Sequence, residues 1–145
     1  SDRMINQSLL DEFGNQLKKS FGYVSGSSGK RAGFFDRVAK EGGIDISSPY
    51  TGESYDAAAL IVLAIQAGGS TDNISISRNI MDVANEPGIK IYPGEIKKGL
   101  NLLSKGKKIN YEGATGISFN ELGEAKGSFL ELEIKNRKLK AKKQR

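Results

Sequence analysis

Residues 49–69 read PYTGESYDAAALIVLAIQAGG, a kinked entry, an apolar run and a pair of glycines. Between Ala57 and Ala67 only Gln66 is polar. Ser54 is placed to cap a helix N-terminus, Asp56 falls in its first turn, and Gly68 and Gly69 are stop signals. The pattern predicts a helix. Because Ala57 through Ile65 is apolar on every face, its burial requires neighbours around most of its circumference, and the helix is expected in the interior. A bilayer span needs roughly 20 apolar residues. This run is about half that, with Glu53 and Asp56 just upstream, so a membrane span is not expected.

Upstream, Ile5, Leu9, Leu10, Phe13 and Leu17 keep close to one helical face, broken at Gly14, which predicts one or two short helices. Phe21–Val24 reads as a short strand, Ser25–Gly29 as a loop, and Phe34, Phe35, Val38 and Ala39 as a second helix ending at Gly42-Gly43. The stretch Gly26–Lys30, GSSGK, lacks the G-x-x-x-x-G-K-[ST] spacing of a phosphate loop. Downstream, Ser70–Asn73 offers caps for a helix from Ile74 to Asn85 that Pro87-Gly88 ends. Ile91–Gly94 reads as a turn. Glu95–Lys105 reads as an amphipathic helix with Ile96, Leu100 and Leu103 inward, closed by Gly106. From Ile109 to Ile134 the period shortens to that of strands, with a turn over Asn120–Gly127. About five helices against about three short strands leave too little sheet to bury the apolar run from both sides.

A length of 145 residues suits one domain, and 37% hydrophobic with 27% charged residues is ordinary for a globular protein. The chain has no Cys and no His. That removes disulfides, thiol nucleophiles, Cys-ligated zinc, the usual general base and the commonest metal ligand. No enzymatic role, cofactor or metal site is expected. Net charge is +5, but seven positive charges crowd into Lys135–Arg145, so residues 1–134 carry 15 basic against 17 acidic groups, a net of −2. The basic run lacks interleaved aromatics and reads as a solvated tail over 137–145, with no nucleic-acid partner expected. No apolar segment of signal-peptide type follows the polar start, and Ser1 is no initiator, so the chain is expected to be a processed or excised piece.

Two stretches carry a family likeness: PY-x-x-x-SYDAAALIVLAIQAGGSTD, and YPGEIKKGLNLLSKGKKINYEGATGISFN-x-x-GEAKGSFLELEI. Together they resemble the C-terminal part of type I periplasmic solute-binding proteins, in particular the leucine/isoleucine/valine-binding group that serves ABC importers. The likeness runs from about Asp2 to Ile134. It implies an α/β fold, the C-terminal portion of a two-lobed type I periplasmic-binding-protein fold with Rossmann-like three-layer lobes, its sheet incomplete in this chain. By that likeness residues 1–48 and 120–136 belong to the second lobe. Residues 49–119 belong to the first lobe, with hinge crossings at Pro49 and at Ile117–Phe119.

The resemblance further implies a small polar ligand, such as a branched-chain or other amino acid, held between lobes. Asp2 falls where the family has an acid for the ligand's ammonium, a job that suits a carboxylate because it neutralises a desolvated cation. Tyr50 falls where an aromatic ring touches the ligand's side chain. Tyr55, Asp56, Tyr92 and Tyr111 are expected to anchor structure, and Glu53 to be a surface acid. The implied partner is an ABC permease, and the implied location of the parent protein is periplasmic or extracellular and membrane-anchored. An alternative follows from the apolar helix alone: without its missing neighbours it would drive self-association or protein interaction without ligand.

Overall fold

The computed structural model describes residues 7–14, 16–17, 20–25, 30–46, 50–126, 129–136 and 138–144. The chain divides at Ser27/Ser28 and Gly127/Ser128 into two compact units. The first contains α1 (Gln7–Phe13), β1 (Phe21–Ser25), β6 (Phe129–Lys135) and β7 (Lys138–Gln144). The second contains α2 (Lys30–Glu41), α3 (Thr51–Gly68), α4 (Asn73–Ala84), β2 (Ile89–Ile91), α5 (Ile96–Leu103), β3 (Ile109–Tyr111), β4 (Ser118–Phe119) and β5 (Ala125–Lys126). Within this unit α2 packs against α3 through Phe35 and Tyr55.

In the first unit the three strands run antiparallel in the order β1-β6-β7, and Leu10 of α1 is fully buried. β7 occupies the stretch expected to be a solvated tail. Its register explains the difference, for Glu131 stands opposite Lys143 and Glu133 opposite Lys140. Opposite charges across an antiparallel pair favour pairing, and Asn136 turns the chain between the strands at φ 53.

In the second unit α3 begins earlier than the capping residue predicted for it. Tyr50 sits at the N-cap in the left-handed region, and its carbonyl accepts from the Ser54 N–H at 2.9 Å, which places Ser54 inside the first turn. The stop is as expected: Gly69 at φ 62 donates to the Ile65 carbonyl. Asp56, Ala59, Leu60, Leu63 and Ala64 are buried, one stripe at helical spacing. They share a core with Val83, Ala84, Ile91, Ile109 and Tyr111. The opposite face leaves Ile61 and Val62 each 44% exposed, so burial around the whole circumference is not met within this chain.

α4 is capped by Asp72, whose carboxylate accepts from Ser75 N at 2.9 Å. A short Ser70 hydroxyl contact and that backbone bond hold the Asp72 carboxyl below its ordinary range. β2 and β3 pair in parallel, Ile89 with Ile109 through Ile91 with Tyr111, so Ile91 ends a strand rather than opening a turn. Nothing local in three residues announces a partner twenty positions away. Gly88 makes the approach possible, since a Cβ there would lie 2.2 Å from the Ile109 carbonyl carbon. α2 docks through Phe35 and Ala39 against Ala114 and Tyr55, and Phe34 stacks on Tyr92 at 4.9 Å. β4 and β5 form a hairpin, with Asn85 clasping the Phe119 backbone through both its amide atoms.

Candidate functional site

The start of α3 meets the 112–119 loop through Asp56. This side chain is fully buried, and its carboxylate accepts from Tyr111 Oη at 2.8 Å, Ala114 N at 2.6 Å, and Thr115 N and Oγ1 at 2.8 Å each. A buried anion persists only with such partners. Burial first, and then the Asp56 carboxylate, push the Tyr111 phenol far above its ordinary range, so it remains a donor. Gly113 stands at φ 63, and a Cβ there would come within 2.7 Å of Asp56 Oδ2. The result is a rigid turn beside the helix entrance. Tyr55 extends it by accepting the Gly94 N–H at 2.9 Å. Tyr55, Asp56 and Tyr111 are therefore structural anchors, as their places in the sequence suggested.

Tyr50 lies at this entrance with φ 63 and 63% exposure. A non-glycine residue in the left-handed region is uncommon, and the conformation carries strain that the surrounding backbone must hold. It presents a ring to solvent at the end of a fixed helix. Thr51 Oγ1 reaches the Asp45 carbonyl at 3.4 Å on the same side. Asp2 lies outside the described residues. Glu53 is half-buried rather than a plain surface acid.

Beyond the anchor, Glu112 bridges two cations. Its carboxylate meets Lys90 Nζ at 2.6 Å and Arg31 Nη1 at 3.3 Å. The bond to Glu112 holds the Lys90 ammonium above its ordinary range. Sequence reading passed over this trio because its members are 81 and 22 residues from Glu112 and share no motif. Among the described residues no three acidic side chains converge as a metal ion would require, and no single helix is long and apolar enough to cross a membrane.

No family model matches the chain. Over 68 residues, 47% of this chain and 16% of the relative, it is 35% identical to the chemotactic signal transduction system substrate-binding protein BasB of Halobacterium salinarum. Its structure is similar to that of the leucine-binding protein LivK from Thermotoga maritima MSB8, with a TM-score of 0.60 and 20% identity over 95% of this chain. The chain thus spans 34% of that protein and 16% of the curated relative. It has a mixed α/β fold that matches part of the leucine-binding protein LivK.

Proposed function

We propose that this chain corresponds to the C-terminal part of a two-lobed, non-enzymatic solute-binding protein that holds a small polar metabolite between its lobes. An amino acid, with branched-chain members first, is the ligand class, and an ABC permease receives it. The fold likeness along nearly the whole chain carries the reading. The shorter sequence likeness to a protein named for substrate binding supports it independently. Residues 49–119 are assigned to the first lobe, 1–48 and 120–136 to the second, with α2 docked beside the crossing. Asp2 takes the ligand's ammonium and Tyr50 lies against its side chain, which its exposed ring at a rigid helix start suits. The parent protein works in the periplasm or at the outer face of a membrane.

The test is a thermal-shift screen of the longer polypeptide against amino acids, amides and short carboxylates. Ligands that bind only the folded state raise the melting temperature with concentration. No shift with any of them would remove the ligand assignment.

A second reading has its own observation. Ile61 and Val62 are 44% exposed, Ile74 66% and Leu122 84%. Ile61 and Leu122 border a groove of about 610 Å³ with Ile76, Ile80 and Phe119. Such a surface favours association of two copies of the isolated chain. Light scattering would show a dimer, and a monomer at all concentrations would exclude it.

A further inference from the structure

Asn110 is the middle residue of β3 and only 6% exposed, and its carboxamide makes no hydrogen bond among the described residues. No fully sealed side-chain nitrogen or oxygen among those residues lacks a partner, so the polar atoms of Asn110 open onto space rather than onto apolar packing. That space is a cavity of about 300 Å³ bordered by Arg31, Asn85, Glu86, Asn110, Glu112 and Ser118. It stands at the lower end of the roughly 300–1,000 Å³ range of small-molecule pockets.

The chemistry of its wall selects an occupant. A guanidinium carries five N–H donors. The bond from Arg31 to Glu112 uses one of them. Gly116 lets Arg31 lie close, since a Cβ there would come within 2.5 Å of Nη1. Asn85 is already committed to the Phe119 backbone, whereas Asn110 offers both a donor and an acceptor. Charge on the wall is mixed: Arg31 stands against Glu86 and Glu112, and Lys90, outside the wall, pairs with both carboxylates. An ion of either sign would meet a like charge here. Only Ala84 and Ile117 supply apolar side chains, too little to hold a hydrocarbon group. A hydroxyl both donates and accepts, and carries no charge.

We propose that this cavity binds a small neutral polyol, between glycerol and a monosaccharide in size, through the Asn110 carboxamide and the Arg31 guanidinium. The site lies wholly within the compact unit Ser28–Gly127, and the lobe assignment proposed above would take Arg31 from the second lobe and the rest of the wall from the first.

The experiment is a ¹⁵N–¹H titration of the 145-residue chain with glycerol, glucose and inositol, and with leucine, acetate and ammonium as comparators. Saturable shifts are expected at the Asn110 side-chain amide and the Gly116 and Ser118 backbone amides for at least one polyol. In Asn110→Ala the affinity should fall about tenfold, the scale of losing one hydrogen-bonding group. Arg31→Gln, whose site is on a helix surface, gives a second variant with the same expectation should Asn110→Ala fold poorly. Shifts that grow linearly without saturating, an affinity unchanged in both variants, or tighter saturation by any comparator would overturn the proposal. Leucine binding to the longer protein is a separate result and bears only on the function proposed above.

Discussion

Asp56 shows how much of this fold one side chain can hold. Its carboxylate accepts four hydrogen bonds from Tyr111, Ala114 and Thr115 in a site closed to water. Asn in its place would keep one acceptor oxygen and turn an NH₂ toward donors. Each charged hydrogen bond lost is worth roughly 1.5–3 kcal/mol. Asp56→Asn should therefore cost about 3 kcal/mol or more in urea unfolding, and a loss under about 1 kcal/mol would refute the anchoring role. Two glycines make a matched pair. Gly69→Ala meets open space and only a left-handed backbone, a cost of about 1–2 kcal/mol. Gly88→Ala drives a methyl into the Ile109 backbone, which no rotamer relieves, and should cost more than Gly69→Ala in the same measurement. Equal costs would mean that β2 does not need this close approach.

At the scale of elements, α3 separates packing from mere apolarity. Leu63 is fully buried in the core, and Leu63→Ala should cost about 2–5 kcal/mol. Ile61→Ser, on the open face, should change stability by under about 1 kcal/mol and raise solubility. Similar losses at both positions would show the helix buried all round. The turn into α5 gives a pH signature. Burial alone would raise the pKa of Glu95, but the Tyr92 N–H at 3.0 Å and Lys98 at 3.1 Å outweigh it and hold the group below its ordinary value of 4.5. A depressed folded pKa stabilises above the unfolded value and is lost as pH falls through the folded one. Wild-type stability should thus decline more steeply than that of Glu95→Gln below pH 4.5. Parallel acid profiles would refute it.

The helices were legible because their signals are local: an apolar face, Asp72 as a cap, Gly69 as a stop. The parallel pairing of β2 with β3 was not, since its partner lies twenty residues on. β7 was hidden for a related reason. Its lysines read as tail until β6 sets Glu131 and Glu133 opposite Lys143 and Lys140. The entrance of α3 was misread because a left-handed Tyr50 leaves no mark in composition.

For the whole molecule, the geometry of the candidate site was not legible in the sequence. Tyr50 was named from a resemblance and stands exposed at a rigid helix start, while the Arg31, Lys90 and Glu112 trio is assembled only by the fold. Among the described residues α3 keeps an apolar face open, with Ile61 and Val62 each 44% exposed. The central claim, that the longer protein binds an amino acid against Tyr50, is tested most directly by calorimetric titration of that protein with leucine, isoleucine and valine, before and after Tyr50→Ala. Saturable heat is predicted, weakened about tenfold by the substitution, or about 1.4 kcal/mol. No heat from any of the three, or an affinity that Tyr50→Ala leaves unchanged, would contradict it.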